Sequence, residues 1–175
     1  MQVKKLQEQH FKAMKLAEHY HFGQTDIGGN DYIEHIKYVE DNVNEFLRLN
    51  DITNLNDIYI VNVAAILHDI IEDCGVTEDK LLAEGISQEA VNIVNILTHY
   101  KIVPYKDYII NISKNKFAKC IKLADLSHNM DIRRLKKIDN NAIRRLKKYF
   151  YSYKFLMGEI DEETYKNEIE KVVYE

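Results

Sequence analysis

The sequence predicts an all-α fold, a single helical bundle over residues 1–175. One proline and six glycines leave few of the breakers that short strands and tight turns need. Apolar residues recur at helical spacing along most of the chain. The periodic segments follow one another through short polar connections, with no internal repeat or low-complexity tract between them. With 175 residues and 46% hydrophobic content, the chain can bury a real core and is expected to form one domain.

The elements follow in order. Val3 to Phe22 carries Leu6, Phe11, Met14 and Ala17 close to the helical period, and Gly23 ends that helix. Gln24 to Asn30, with Gly28 and Gly29 adjacent, reads as a loop, after which Asp31 caps a helix to Leu49 that carries His35. Beyond the polar stretch Asn50 to Asn56, Asp57 caps a third helix whose Ile58-to-Ile71 segment is almost continuously apolar and should lie at the centre. Helices are then expected at Thr77 to Glu84, at Ser87 to His99 with Ser87 as cap, and at Pro104 to Ile112, where proline suits the first turn. A long helix, Lys116 to Lys137, contains Asp125. Asn140 to Met157 and Asp161 to Val173, separated by Gly158, complete the set.

Composition narrows the classes of function. A net charge of -4 argues against general nucleic-acid binding, and the basic run from Arg133 to Lys148 reads as a solvated helix face. Cys74 and Cys120 match neither a zinc spacing nor a disulfide framework, so free thiols in the cytoplasm are expected. No apolar run approaches the roughly 18 residues of a membrane span, and the N-terminal segment is polar. No pattern in the chain specifies an oligomeric state.

Two segments resist explanation by packing. His68, Asp69, Glu72 and Asp73 place four ionisable groups at the end of the most apolar helix. If that helix continues through them, its 3.6-residue turn sets His68 and Glu72 one above the other, with the aspartates on one flank. Three carboxylates at the negative end of a helix are unfavourable unless a cation compensates them. Imidazole with carboxylate suits a borderline divalent ion such as Mn²⁺, Fe²⁺ or Zn²⁺. In the second segment, Asp125 interrupts an apolar stripe and shares a face with Asn129. Alone, each segment also fits a solvated helix end or a surface ion pair.

Together the motifs resemble the HD phosphohydrolase superfamily, and most closely the alarmone hydrolase domains of RelA/SpoT-type proteins and the small alarmone hydrolases. The resemblance runs from about Ala17 to Arg134. It is carried by Gly23-Gln24 with Gly29, Tyr32-Ile33 and His35, by His68-Asp69-x-x-Glu72-Asp73, and by Lys122-Leu123-Ala124-Asp125-x-x-His128-Asn129-Met130. It implies His35, His68, Asp69 and Asp125 as metal ligands, most often for Mn²⁺, Glu72 and Asp73 as catalytic carboxylates, and Asn129 as a nucleotide contact. The implied activity is hydrolysis of a small phosphorylated nucleotide, removing the 3′-pyrophosphate of ppGpp-like alarmones. Rival readings are hydrolysis of a nucleoside monophosphate or an NADP-like phosphate, or a noncatalytic nucleotide-binding module.

The chain departs from the family pattern where an Arg-Lys pair usually follows Gly-Gln, since Asp26 and Ile27 stand there, and Asn30-Asp31 replaces a usual Glu-Pro. Lys101, Tyr105, Lys106 and Tyr108 can supply substitute contacts to phosphate and base, or can equally be core tyrosines and solvated lysines. His99 and His128 are expected in interhelical hydrogen bonds, His10, His19 and His21 in surface or packing roles, and Arg133 and Arg134 as further phosphate contacts.

Overall fold

The computed structural model describes the backbone of residues 2–174 and the side chains of residues 6–172. Its helices are α1 (Gln2–Tyr20), α2 (Tyr32–Leu49), α3 (Leu55–Ile66), α4 (Ile70–Cys74), α5 (Glu78–Ala83), α6 (Gln88–Leu97), α7 (Tyr105–Ser113), α8 (Lys116–Asn129), α9 (Asn140–Met157) and α10 (Glu162–Tyr174). A 3-10 turn at Ile132–Arg134 follows α8. The all-α expectation holds, and among the described residues the one β-type pairing is an isolated bridge between Thr25 and Asp31.

The antiparallel-neighbour helices α2 and α8 make the most extensive pairing, with α3 packed against α2 and α6 against both α3 and α8. Helix α1 covers α3, and α9 leans on α8 with α10 behind it. One contiguous apolar core joins them, from Ala13 and Ala17 of α1 through Val39, Ile66, Val94 and Ile121 to Leu156 and Tyr165. Helix α3 is the buried centre, as its uniform apolarity predicts, with Val61 through Ile66 nearly all sealed from solvent except Asn62. In α1 the buried line runs through Gln9, Ala13 and Ala17 with Met14 against the core, so of the predicted stripe Ala17 and Met14 face inward while Phe11 is 61% exposed.

Three boundaries differ from the sequence-based expectation. The third helix begins earlier, because Asn54 rather than Asp57 is its cap, its side chain accepting from the backbone N–H of Asn56 at 2.9 Å and Asp57 at 3.2 Å. It also stops at Ile66, and α4 starts afresh at Ile70, so one continuous helix to Ile71 is not what forms. The long helix to Lys137 ends at Asn129, where Arg134 turns back to donate to the His128 carbonyl at 2.7 Å and Asp131 caps the 3-10 turn. Asp31 does stand at the start of α2, but its side chain makes no cap hydrogen bond.

The loop before α2 is held down by an ion pair that crosses the fold. Asp26 accepts from Arg134 at 2.6 Å and from the backbone of Asn30 at 2.9 Å. Gly28 and Gly29 let this loop pass against residues 134–136, since a Cβ at Gly28 would meet the Arg134 carbonyl at 2.5 Å and Gly29 has φ of +85°. Burial alone would raise the Asp26 pKa, but the Arg134 and Asn30 bonds bring it down to about 2. A carboxylate depressed in this way stabilises the fold above its ordinary value of 3.8 and loses that contribution as pH falls towards 2. Arg134→Met is expected to destabilise the protein by about 3 kcal/mol at pH 7. It should also flatten the loss of stability between pH 4 and pH 2. Urea melts at each pH check both, and an unchanged acid limb would show that Asp26 is not anchored by Arg134.

Candidate metal and catalytic site

The break between α3 and α4 shapes the site. Leu67 leaves helical geometry with φ −102° and ψ 7°, and Asp69 follows with φ −105° and ψ −2°. In a continuous helix adjacent side chains diverge by about 100°. Here the turn brings both members of the doublet to one point, with His68 Nε2 and Asp69 Oδ2 2.9 Å apart. The same break puts Glu72 and Asp73 in the first turn of α4, where a helix dipole favours acids. The expected stack of three acids and one imidazole at a negative helix end is therefore replaced, and the demand for a cation rests on different atoms.

Those atoms belong to His68 and its neighbours. The His68 ring is buried, and its Nδ1 lies 2.8 Å from the Ala65 carbonyl, which can only accept, so Nδ1 carries a proton and Nε2 is the position left to a second proton or a metal ion. Nε2 is sealed from solvent and has no hydrogen-bond partner, the Asp69 oxygen lying at an angle that makes no bond. One ligand atom each from His35, His68 and Asp125 lie within 4.8 Å of one another. Asp69, the fourth ligand expected from the sequence, stands outside that mutual set, although its Oδ2 lies 2.9 Å from His68 Nε2 and 3.8 Å from His35 Nε2. An orphaned buried nitrogen facing two carboxylates and a second imidazole is what a divalent cation of borderline softness requires, and the donor set fits one.

Each donor is oriented from behind. His35 Nε2 sits 3.3 Å from Asp125 Oδ1, while its Nδ1 shares a 2.7 Å hydrogen bond with His128 Nδ1. His128 stacks on Tyr38 with ring centres 4.1 Å apart. Burial, with the positive charge of His35 and Arg134 nearby, lowers the His128 pKa to about 4, so the ring is neutral and able to accept from His35. Asp69 accepts from the Tyr32 hydroxyl at 2.5 Å. Asp125 takes the Asn129 amide on Oδ1 at 2.5 Å and Lys122 on Oδ2 at 2.8 Å. Such outer contacts fix ring tautomer and carboxylate direction, as they do around bound metals.

The electrostatics follow from burial and these pairs. Burial would raise Asp125, yet Lys122 and the two imidazoles hold it well below the usual carboxylate range. Asp69 behaves likewise, burial opposing and His68 outweighing. Burial would lower His68, but Asp69 and Asp125 raise it to about 9. A proton or a metal cation answers the same local field, and the two compete for Nε2. Glu72 and Asp73, half-buried, are both raised by desolvation, Asp69 adding to each. The His99 backbone N–H donates to Glu72 Oε2 at 2.8 Å and aims that carboxyl.

Beside the cluster lies a polar cleft of about 270 Å³, whose lining includes Asp69, Glu72, Asp73 and Asp125 together with Tyr105, Tyr108, Lys122 and Lys148. A second lobe of about 160 Å³ has Ile27, Leu135, Ala142 and Leu146 in its lining together with Asp26 and Arg134. Tyr32, Asn129 and Tyr149 border both lobes. Of the sequence-derived candidates, Tyr105 and Tyr108 line the cleft, the latter donating to the Leu97 carbonyl at 2.5 Å. Lys101 is exposed outside the cleft lining, and Lys106 is turned towards Glu170 at 2.5 Å. Arg133 bonds Asp131 and Arg134 bonds Asp26, so neither extends a free guanidinium to the cleft. His99 caps its own loop through the Val103 carbonyl, where an interhelical bond was expected, whereas His128 does link α8 to α2. Lys148 and Tyr149 were hidden in the basic face of α9. The signal available for them was their position beside the buried line Ala142, Ser152, Leu156.

No family model matches the chain. It is 30% identical over 131 residues to a guanosine-3′,5′-bis(diphosphate) 3′-pyrophosphohydrolase of Borreliella burgdorferi (strain ATCC 35210 / DSM 4680 / CIP 102532 / B31), a match covering 69% of this chain and 18% of the relative. The chain thus spans less than a fifth of that relative's length. A solved structure described as a metazoan ortholog of SpoT that hydrolyses ppGpp superposes with a TM-score of 0.65 at 19% identity, covering 94% of this chain and 93% of its own. The fold is shared with that protein, and the resemblance read from the three motifs is borne out by both likenesses.

The Lys122–Asp125 pair gives a test that needs no ligand. In metal-free protein, Lys122→Met is expected to cost about 3–5 kcal/mol by leaving a buried carboxylate uncompensated. Adding Asp125→Asn should recover more than half of that loss. Denaturant midpoints for the two variants decide it, and a single variant as stable as the parent would show that Asp125 does not depend on Lys122.

Proposed function

We propose that this chain, which has the all-α fold of the SpoT-type proteins, is a metal-dependent phosphohydrolase that removes the 3′-pyrophosphate of ppGpp-like alarmones. The observation that carries the reading is the orphaned Nε2 of His68, converging with His35, Asp69 and Asp125 beside the acidic pair Glu72 and Asp73. Likeness to a ppGpp pyrophosphohydrolase over most of the chain supports the reaction class. His35, His68, Asp69 and Asp125 would hold one divalent ion, and Mn²⁺ is the ion the family resemblance implies.

When bound there, such an ion supplies Lewis-acid charge for a phosphoryl oxygen and acidifies water. The chain's own groups do the rest. Glu72 and Asp73, whose carboxyls burial raises from their ordinary values, can take a proton from the attacking water and return one to the leaving 3′-oxygen. His99 holds Glu72 in place for this through its backbone N–H. Asn129, Tyr32 and Tyr149 stand at the junction of the lobes, where they would meet a nucleotide with its nucleoside in the apolar lobe and its phosphates in the polar one. In that apolar lobe Asp26 and Arg134 neutralise each other where the family has Arg-Lys, so the base contacts differ from the family pattern.

A screen of the Mn²⁺-loaded protein against ppGpp, nucleoside monophosphates and NADP is expected to release pyrophosphate from ppGpp. Turnover of one of the other substrates alone would move the assignment to that nucleotide, and no turnover of any phosphoester would leave a binding module. Asp69→Ala is expected to abolish metal binding and activity together. Glu72→Gln should retain the metal, measured by elemental analysis, while kcat falls by about 10²- to 10⁴-fold. An active Asp69→Ala protein would remove the assignment.

A further inference from the structure

Three of the cationic side chains at the two lobes are accounted for differently. Lys122 is neutralised by Asp125 at 2.8 Å, and Arg134 by Asp26 at 2.6 Å. Lys148, on α9, borders the polar lobe with no carboxylate in ion-pair distance among the described residues. Its ammonium instead lies 4.2 Å from the centre of the Tyr105 ring and 5.1 Å from that of Tyr149. Those ring faces hold the amine in position without cancelling its charge. Desolvation, together with the positive charges of Lys122 and Arg145, lowers its pKa below the ordinary lysine value. A half-buried ammonium near other cations is unfavourable by itself, and an anion entering the lobe would offset that cost.

The lobe's shape says which anion. The lobe's wall also carries Asp69, Glu72, Asp73 and Asp125, which repel phosphate except where a metal ion intervenes. A phosphoryl group attacked at that wall has its nucleoside directed past Asn129 and Tyr149 into the apolar lobe. Any additional phosphate then extends across the polar lobe towards Tyr105 and Lys148. Resting on the hydrolase reading above, we infer that Lys148 binds the distal phosphate of the substrate's 3′-pyrophosphate and makes the site prefer a pyrophosphate over a single phosphate. Tyr105 sets the amine's position through its ring face, its own hydroxyl accepting from Ser152 Oγ at 3.4 Å.

The test compares wild type, Lys148→Met and Lys148→Arg, each confirmed as folded by circular dichroism. Kinetics are measured on ppGpp and on its 3′-monophosphate counterpart, and inorganic pyrophosphate binding is measured by calorimetry with and without Mn²⁺. Lys148→Met is expected to lower kcat/KM for ppGpp and affinity for pyrophosphate by about 10- to 100-fold, the effect of a lost charge-assisted hydrogen bond. Activity on the 3′-monophosphate should stay within about twofold, and Lys148→Arg should restore most of both losses. Equal pyrophosphate affinity in wild type and Lys148→Met, or an equal drop on both nucleotides, overturns the inference while leaving the hydrolase intact. Absence of turnover in wild type with pyrophosphate binding still dependent on Lys148 removes the hydrolase reading and keeps the anion site.

Discussion

A carboxylate buried at the heart of a helical bundle, that of Asp125 on α8, sets the terms for everything around it. Ionised and almost wholly out of water, it needs compensation from every direction. Lys122 lies one turn before it, Asn129 one turn after it, and His35 reaches it from α2. The extensive α2–α8 pairing is the structural counterpart of that requirement, since a looser contact would strand the charge. His68 then joins from the end of α3 with one nitrogen still unanswered, and the cluster acquires a vacancy in its bonding that packing does not fill.

The interruption of the central helix is what makes the cluster possible. Ile66 is in the most apolar element of the protein, and continuing that element would have fanned His68 and Asp69 apart. Stopping at Leu67 frees the Ala65 carbonyl to receive the His68 ring, sets its tautomer, and turns Asp69 towards Tyr32. Restarting at Ile70 presents Glu72 and Asp73 from a fresh N-terminal turn, with Gly75 in the left-handed conformation that ends it. Two short helices therefore accomplish what a single long one could not, at the cost of a few backbone bonds.

The cleft divides by polarity in a way that follows from which helices border it. Its carboxylates come from the start of α4 and from α8, and Tyr105, Tyr108 and Lys148 from α7 and α9, with Tyr149 at the seam. The loop carrying Asp26 closes the apolar lobe through its bond to Arg134, tying the entry to α2 to the exit from α8. Asp26 is thus part of the scaffold, with Arg134 on the other side of the fold as its partner.

Much of the fold was legible because helix formation is local. Periodicity located α2, α6 and α9 nearly to the residue, and Ser87, the cap expected for α6, is a side-chain cap in the structure. The uniform apolarity of α3 also identified the centre, since a segment without a polar face has nowhere else to lie. The chemistry was legible as types and order, His35, His68-Asp69, Glu72-Asp73 and Asp125, because ionisable groups inside apolar stripes are costly and therefore conspicuous. Direction and pairing were not, since they depend on elements far apart in the chain. The break at Leu67, the turning of Lys106 to Glu170, the capture of Arg134 by Asp26 and the exposure of Lys148 to the cleft each arise from contacts that no local pattern encodes. By itself the sequence determined that this chain is helical and which side chains could hold a cation. Only the tertiary structure decided which of its many cations stay uncompensated, because charge balance is settled by neighbours in space.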